Sequence, residues 1–408
     1  MKKILIIAYY FPPLAGPGVV KVLRNCRYLP KFGWWPVVVS VSNPEKYAIA
    51  DNSIPNGVVV ERAVRLPGFD LICRILDKVR IGRQLIAIPD AFIAWIPGAL
   101  IKGIKVIKVN RPNLIYTTIP PYSSAIVAAL LAKWRKLPLI VDIRDPWLDK
   151  TYPLLRYPTK FHRYINEILE RCIIKQAKCI TFIYKIALDQ YLHRYTYFSE
   201  KFILLRPGFD GSEIIKKQKK RSNSTSIKIL YSGVFYPPYK AIMLFFRGLS
   251  KYNSENQEKA FFIYYGQPFE LLNKFAREAK IERFMTQKGY VPMNDVIRAQ
   301  AASDILLLVL EFSTIPTKLY EYLASGVPLL IIAPEISELK WLLDRYSSAY
   351  VYLSLDAKSC EVVQAISYLK SIKLEQKEID VKTQVLWNEL EISVLTEKLA
   401  KIFNDATH

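Results

Sequence analysis

The stretch ILIIAYYFPPLAGPGVVKVLRNCRYLPKFGWWPVVVSV, residues 4–41, decides the fold. It opens with a continuous apolar run over residues 4–9, which is the pattern of a strand buried on both faces. A glycine-bearing loop, helical spacing over residues 19–29 and a second apolar run over residues 37–41 follow. A strand, a loop, a helix and a strand in this order make a βαβ unit, whose parallel strands form a sheet covered by helices. The sequence therefore predicts an α/β domain.

The same alternation continues along the rest of the chain. In the first half it predicts strands over residues 114–117 and 139–143, with a helix over residues 123–134 between them. A polar, lysine-rich segment over residues 206–226 is typical of a domain linker. Beyond it the pattern restarts, with strands predicted over residues 227–231, 261–265, 305–310 and 329–333 and a final helix over residues 386–403. We therefore expect an N-terminal domain over residues 1–205, a linker over 206–226, a second α/β domain over 227–385 and a terminal helical segment over 386–408.

The charge of the chain is unevenly distributed. Its 408 residues, 51% hydrophobic, are enough for two to three domains, and 58 Lys and Arg against 36 Asp and Glu give a formal charge of +22. Residues 1–200 carry 30 basic and 13 acidic side chains (+17), whereas residues 201–408 carry 28 and 23 (+5). An acidic partner surface is therefore expected to contact the first half.

Residues 62–110 join a basic and an apolar segment. Basic residues flank the apolar run over residues 85–101, among them Arg74, Lys78, Arg80 and Arg83. This pattern suits an anionic membrane surface, and it equally suits a core helical insert with a solvated basic rim. The apolar run contains Pro89, Asp90 and Pro97, so it is too short and too polar to span a bilayer, and we predict no transmembrane helix.

The remaining composition excludes several classes of protein. Five scattered cysteines without a C-x-x-C pair exclude a disulfide framework and indicate a reducing, cytoplasmic location. The apolar N-terminus imitates a signal peptide, but Pro12-Pro13 interrupts it and secretion is not expected. The basic residues follow no nucleic-acid-binding signature. Lys21 stands where a dinucleotide-binding fingerprint would place its third glycine, which argues against an oxidoreductase.

The segment STIPTKLYEYLASGVPLLIIA, residues 313–333, carries the most chemistry. Ser313 or Thr314 can cap a helix that Pro316 starts and Gly326 stops, ahead of a buried strand. The free N–H groups and dipole of such a helix attract anions. The spacing also places a lysine, a glutamate and a tyrosine on one helical face, namely Lys318, Glu321 and Tyr322. A surface Lys–Glu pair is the alternative interpretation.

A second candidate segment is VDIRDPW, residues 141–147. Its polar residues follow a predicted buried strand, at the edge where open α/β sheets place ligands. We interpret Asp142, Arg144 and Asp145 as an acceptor-binding group, with Asp145 as the catalytic or sugar contact and Arg144 as an anion contact. An Arg144–Asp145 pair that merely braces the turn is the alternative. The chain has no Asp-x-Asp pair, so no metal site is expected.

Three motifs together resemble a known family: YYFPPLAGPG from Tyr9, VDIRDPW from Val141 and PTKLYEYLASGVP from Pro316. They resemble the family 4-type glycosyltransferases of bacterial surface-polysaccharide synthesis. The resemblance implies the GT-B architecture, in which two Rossmann-like domains face each other across a cleft and the last helix crosses back to the first domain. It also implies a UDP- or GDP-sugar donor, a lipid-linked or other surface-glycan acceptor, retention of anomeric configuration, no cofactor and peripheral attachment to the cell membrane.

The same resemblance assigns roles to residues. Glu321 corresponds to the glutamate that binds the nucleotide ribose, and the turn with Ser313 and Thr314 receives the diphosphate. Ser313 stands where the family often has a sugar-binding glutamate, and Glu311 is out of register by two positions. The loop glycines of the first domain, Gly16 and Gly18, let the backbone approach the donor, although an ordinary βα turn explains them equally well.

A basic pair on the loop GVFYPPYK, residues 233–240, is the remaining element of the resemblance. Gly233 and Lys240 fit this motif, but its arginine position holds Val234 or Phe235, so Arg206 is our candidate for the missing charge. Lys240, the Thr314 turn and Lys318 would neutralise the departing nucleoside diphosphate, which makes Lys240 a catalytic candidate.

Two other functions stay open on the sequence alone. Sugar-nucleotide 2-epimerases share the double-Rossmann arrangement, although their family is normally not membrane-bound and the +17 first half counts against them. A nucleotide-sugar-binding module without turnover is the second alternative, because Ser313 replaces an expected carboxylate. Assays with labelled donors separate these functions.

Overall fold

The computed structural model describes residues 2–14, 17–42, 54–66, 68, 87–148, 159–215, 226–347, 349–372 and 376–407. The chain divides into two compact units, one formed by Met1–Pro207 with Ile392–His408 and the other by Gly208–Glu391. Gly16, the basic residues Arg74, Lys78, Arg80 and Arg83, and the lysine-rich segment over residues 216–225 lie outside the described residues.

The N-terminal unit contains a seven-stranded sheet in the order β3-β2-β1-β4-β5-β6-β7, with parallel pairings throughout. Its strands are β1 (Lys2–Ile7), β2 (Trp34–Val41), β3 (Val59–Ala63), β4 (Leu114–Ile119), β5 (Leu139–Ile143), β6 (Cys179–Phe182) and β7 (Phe202–Leu204). Its α-helices are α1 (Pro17–Tyr28), α2 (Ile96–Asn110), α3 (Tyr122–Arg135), α4 (Lys160–Gln176) and α5 (Lys185–Arg194). Short 3-10 helices cover Leu29–Phe32, Ile93–Trp95 and Thr196–Lys201.

The C-terminal unit contains a six-stranded sheet in the order β10-β9-β8-β11-β12-β13, again with parallel pairings. Its strands are β8 (Ser226–Ser232), β9 (Lys259–Tyr265), β10 (Met285–Gln287), β11 (Ile305–Val309), β12 (Leu329–Ile332) and β13 (Tyr350–Leu353). The helices are α6 (Lys240–Glu255), α7 (Glu270–Glu278), α8 (Met293–Ala301), α9 (Lys318–Ser325), α10 (Ser337–Tyr346), α11 (Ser359–Ser371) and α12 (Gln376–Leu390), with a 3-10 helix at Glu282–Phe284.

Both sheets have the doubly wound order predicted for a Rossmann-like fold. The central strands are buried on both faces, as their continuous apolar runs require: residues 4–7 of β1 and all of β12 have no exposed surface. In each sheet the strand order reverses once, between β1 and β4 and between β8 and β11. Ligands of open parallel sheets bind at the carboxyl ends of the strands beside such a reversal. The predicted α/β class, with two Rossmann-like domains, is confirmed.

The region predicted as an insert supplies regular elements of the N-terminal sheet. Its residues form the end of β3 and all of helix α2, whose buried side includes Ala99, Val106 and Ile107. Asp90, which interrupts the apolar run, serves helix α3: its carboxylate accepts the backbone N–H of Ser123 at 3.0 Å and that of Phe92 at 2.9 Å. The described part of this region is therefore integral to the fold rather than an addition to it.

The predicted terminal helix is two helices. Helix α12 ends at Leu390 and a separate helix, α13 (Ile392–Thr407), begins two residues later. Glu391 between them accepts the backbone N–H of Gly211 at 3.3 Å, so this residue ties the end of α12 to the start of the C-terminal unit. Helix α13 belongs to the N-terminal unit, where the Phe403 ring packs against Trp34 and Tyr116. The observed unit boundaries, after Pro207 and Glu391, differ from those expected at residues 205, 226 and 385.

Candidate functional site

At the carboxyl edge of the N-terminal sheet lies a fully buried carboxylate, Asp142, at the end of β5. Its Oδ1 atom is 2.7 Å from the Lys21 ammonium and accepts the Thr181 hydroxyl at 2.7 Å, while Oδ2 accepts the Thr118 hydroxyl at 2.9 Å. The buried charge is thus compensated by an ion pair with α1 and by hydroxyl hydrogen bonds from β4 and β6. Asp142 was predicted to contact the acceptor, but both of its carboxylate oxygens already have partners within the N-terminal unit.

Arg144 follows Asp142 and lies against the first turn of α1. Its backbone N–H donates to Ile119 O at 2.9 Å and its guanidinium donates to Pro120 O. A Cβ atom added at Gly18 would stand 2.7 Å from Arg144 Nη1, so a larger residue here would require the guanidinium to shift. The structure therefore brings two predicted site residues, Gly18 and Arg144, into contact.

The turn after β5 is held by side chains of three helices. The Trp147 ring stacks on Tyr122 with centroids 4.6 Å apart, and the Trp147 indole N–H donates to Asn166 at 2.8 Å. The Trp147 backbone N–H donates to the Tyr191 hydroxyl at 3.1 Å. Asp145, at the start of this turn, accepts the Tyr184 hydroxyl at 3.4 Å. Asp145 is therefore placed by a rigid turn.

In the C-terminal unit, three side chains converge on Ser232, the last residue of β8. The Lys318 ammonium donates to Ser232 O at 2.9 Å, and the Tyr322 hydroxyl accepts the Ser232 backbone N–H at 3.0 Å. Gln300 donates to the Ser232 hydroxyl at 3.2 Å. Lys318 and Tyr322, which the helical spacing places on one face, thus both hydrogen-bond the end of β8. This strand end lies where the sheet order reverses.

The Lys318 ammonium also lies 3.5 Å from the ring centroid of Tyr231, a cation–π contact. Gly233 makes room for it: the residue has φ +136°, and a Cβ there would stand 2.9 Å from Lys318 Nζ. Burial lowers the pKa of Lys318 well below its ordinary value, although the negative charge of Glu321 acts in the opposite direction. Glu321 itself is 8% exposed, so the surface Lys–Glu alternative is wrong.

Helix α9 begins later than predicted. It starts at Lys318 without a side-chain cap, because Pro316 and Thr317 already form a turn: their carbonyls accept the N–H groups of Leu319 and Tyr320 at 3.1 and 3.2 Å. The predicted cap by Ser313 or Thr314 is therefore absent from the described hydrogen bonds, and Ser313 is exposed. The predicted stop is correct, since Gly326 ends the helix with φ +69°.

The sequence interpretation gave no role to Glu311, which follows β11 and whose side chain contacts the first turn of helix α6. Its Oε1 atom accepts the backbone N–H of Ala241 at 2.9 Å, at the helix that starts with Lys240. Its other carboxylate oxygen is buried without a hydrogen-bond partner among the described residues. Burial raises the pKa of Glu311. Only its place just after β11 hinted at a site residue, since parallel strands end at the ligand edge.

The arginine expected on the β8–α6 loop has no substitute within that loop. Val234 is 47% exposed, and Phe235 is buried with its ring stacked on Tyr231 at 4.5 Å. Arg206, the suggested replacement, is half-buried near the end of the N-terminal unit. No helix among the described residues has the length and apolar character to cross a membrane.

Comparisons with known proteins agree with this geometry. Residues 226–345, which contain the Ser232, Lys318 and Glu311 contacts, match the family described as Glycosyl transferases group 1. Sucrose-phosphate synthase from Thermosynechococcus elongatus is similar in structure at a TM-score of 0.72, with 12% identity over 99% of both chains. Anabaena HepE in complex with UDP-glucose follows at 0.66, with 11% identity over 99% of this chain and 100% of that one.

A third similar structure is a UDP-N-acetylglucosamine 2-epimerase, described as putative, from Listeria monocytogenes, with a TM-score of 0.60 and 10% identity over 99% of this chain and 96% of that one. No curated protein sequence matches the chain. Identities this low establish a shared fold, whereas the match over residues 226–345 concerns the sequence itself. The chain therefore has the GT-B fold, its C-terminal unit carries a glycosyl transferases group 1 domain, and the resemblance to the family 4-type glycosyltransferases is confirmed.

Proposed function

We propose that the protein transfers a hexose from a nucleotide-sugar donor to a lipid-linked or other surface-glycan acceptor in polysaccharide synthesis. It would act on the cytoplasmic face of the membrane, with retention of configuration and without a metal or other cofactor. The observation that carries the proposal is the half-buried Lys318 beside the buried Glu321, at the strand-order reversal of the unit whose residues 226–345 match the group 1 family. HepE, a structure of the same fold, is described in complex with UDP-glucose, which supports a nucleotide sugar as the ligand.

Donor cleavage needs positive charge where the diphosphate departs. The Lys318 ammonium beside Ser232 O and Gly233, and Lys240 at the start of α6, are the cations that the described C-terminal unit brings to the carboxyl end of β8. These groups would stabilise the leaving nucleoside diphosphate, so the site has an electrostatic means of catalysis.

Glu321 is the proposed ribose ligand. A carboxylate accepts two hydroxyl donors at once, which matches the adjacent hydroxyls of a ribose. Glu321 is nearly buried, and its negative charge acts on the pKa of Lys318, so the two side chains belong to one site. Ser313, exposed on the preceding loop, is a candidate contact for the sugar or the diphosphate.

On the acceptor side, Asp145 and Arg144 are the proposed contacts in the N-terminal unit. Asp142 is better described as a positioning residue, because its carboxylate is engaged by Lys21, Thr118 and Thr181. Gly18 contributes by letting Arg144 approach the backbone. Asp145 is the proposed contact for the acceptor hydroxyl.

The test is donor binding by calorimetry across UDP-, GDP-, dTDP- and CMP-sugars. Glu321→Ala removes two charge-assisted hydrogen bonds, so we expect the affinity for the preferred donor to fall at least tenfold. Glu335→Ala is the matched control, since Glu335 is 79% exposed in its side chain and pairs only with a surface lysine among the described contacts. Unchanged affinity in Glu321→Ala would contradict the ribose assignment.

The 2-epimerase alternative has one observation in its favour, the shared fold with the Listeria protein. Incubation with a labelled UDP-N-acetylhexosamine separates the functions, because an epimerase yields a new sugar nucleotide while a transferase consumes the donor only with an acceptor or water. A protein that binds the donor and leaves it intact is the non-catalytic module. Activity that survives chelation with EDTA supports the metal-independent mechanism.

A further inference from the structure

We propose that the outer face of helix α4 rests on an anionic membrane surface. This outer face consists of the apolar side chains Phe161, Tyr164, Ile168 and Cys172 and the basic side chains Arg171 and Lys175. The proposal specifies where on the protein the membrane of the proposed function would bind. It rests on the proposed function only for the advantage that membrane binding would give to the transfer reaction.

The outer face is a continuous stripe along the helix. The apolar members follow one another at three or four residues and the two basic members at four, so they share one side of the helix, which is about 25 Å long for its 17 residues. Phe161 is 64% exposed, Tyr164 60% and Ile168 41%. Large apolar side chains that share one exposed helical face are unusual on a surface without a partner.

The opposite side of α4 is firmly packed, so the helix presents the outer face rigidly. His162, Asn166 and Glu170 are buried, and Glu170 accepts the hydroxyls of Tyr191 and Tyr195. The exposure of the outer face therefore belongs to an ordered helix rather than to a frayed end, and ordering it on a membrane costs little conformational entropy.

The charge of α4 indicates what the outer face binds. Its exposed and half-exposed charges are Lys160, Arg163, Arg171 and Lys175 against Glu167, which pairs with Arg163 at 2.8 Å. The second acidic residue, Glu170, is buried and pairs with Arg194 at 3.4 Å. A net positive, apolar helix face complements anionic headgroups, because its basic side chains attract the lipid charge and its apolar side chains enter the interface. The outer faces of two copies of the chain carry the same positive charge and would repel each other.

The inner side of α4 connects this surface to the acceptor contacts. Asn166 accepts the indole N–H of Trp147, two residues after Asp145 in the turn at the end of β5. A membrane on the outer face would thus lie about one helix diameter, roughly 10 Å, from this turn. That distance suits an acceptor whose lipid stays in the bilayer while its sugar reaches Asp145.

Vesicle co-sedimentation tests the proposal, with phosphatidylglycerol–phosphatidylcholine vesicles compared with pure phosphatidylcholine. The apolar variant is Phe161→Ser/Tyr164→Ser/Ile168→Ser, and the charge variant is Lys160→Glu/Arg171→Glu/Lys175→Glu. Both change exposed residues, so both should fold. Matched controls lie in the C-terminal unit: Leu271→Ser/Met293→Ser/Tyr368→Ser, and Lys274→Glu/Lys280→Glu/Arg283→Glu.

We expect the full chain to bind anionic vesicles in a salt-sensitive manner, and each α4 variant to bind at least tenfold more weakly than its control. Binding that is equal in α4 variants and controls overturns the proposal, as does a concentration-dependent dimer that the apolar variant abolishes. Donor affinity is measured in parallel. If the wild type binds the donor but the vesicle result is not obtained, the membrane-docking surface is wrong and the proposed transferase function stands. If the wild type does not bind the donor, the transferase proposal is contradicted, whatever the vesicle result.

Discussion

Each of the two sheets has a half-buried lysine at the carboxyl ends of its strands, and the two lysines are compensated differently. Lys21 in the N-terminal unit meets the Asp142 carboxylate at 2.7 Å, and two threonine hydroxyls complete that carboxylate. Lys318 in the C-terminal unit meets a neutral carbonyl and an aromatic ring, with Glu321 as its electrostatic counterpart. Burial lowers the pKa of both lysines, most strongly that of Lys318.

This difference shows what each edge is built for. Around Asp142 the charge is compensated by side chains of the same unit, which links α1 to three neighbouring strands. Arg144 and Asp145 remain the proposed ligand contacts at this edge. Around Lys318 the positive charge has no carboxylate at ion-pair distance among the described contacts, so an incoming anion can supply the missing compensation. Substitutions at the two lysines should therefore affect different properties.

The largest effect is expected on stability from Lys21→Met. It leaves the fully buried Asp142 without its cation, and breaking a buried pair from one side costs about 3–5 kcal/mol. Urea unfolding monitored by circular dichroism measures the loss, with the exposed Lys31→Met as control. Lys21→Met/Asp142→Asn should recover part of the stability. A single variant as stable as wild type would contradict a stabilising role of the Lys21–Asp142 pair.

A smaller effect, on ligand affinity, is expected from Lys318→Met. Loss of one charged hydrogen-bonding partner of the diphosphate corresponds to about 1.5–3 kcal/mol, or roughly tenfold to a hundredfold in the dissociation constant. Calorimetry with the free nucleoside diphosphate measures it, and Lys318→Arg should retain more affinity than Lys318→Met.

The wild type should also show a pH dependence that Lys318→Arg lacks. Because the pKa of Lys318 is lowered in the folded state, the ammonium loses its proton below pH 10.5, and diphosphate affinity falls as the pH rises through that lowered pKa. Over the same pH range the free energy of unfolding increases, because the unfolded chain binds more protons than the folded chain. Equal pH profiles in wild type and Lys318→Arg would assign the titration to another group.

The smallest effect is expected from Glu311→Ala, which removes the side-chain oxygen that accepts the Ala241 N–H at the start of α6. Loss of such a cap costs about 1 kcal/mol, measurable by urea unfolding. Glu311→Gln keeps an acceptor and should lose less. If Glu311→Ala instead changed only donor affinity, the free carboxylate oxygen would be a ligand contact rather than part of a cap.

Much of the fold followed from short patterns, and much of the site did not. The apolar runs of β1, β5 and β12 predicted buried parallel strands, and Gly326 predicted the end of α9, because burial and backbone conformation are local demands. The start of α9 was missed, because a turn at Pro316 and Thr317 satisfied the backbone that a capping side chain was expected to satisfy. The partners of Asp142 and Glu311 were not predicted, because they lie far away in sequence.

The amino-acid sequence by itself determined the two α/β units, the excess of positive charge in the first half and the spacing that aligns Lys318, Glu321 and Tyr322 on one helix. Only the tertiary structure decided which of these charges are already compensated, where the chain returns to the N-terminal unit and which face of α4 stays exposed. The physical reason is that strand and helix periodicity arises from neighbours along the chain. Compensation of a buried charge depends on groups that folding brings together from distant parts of it.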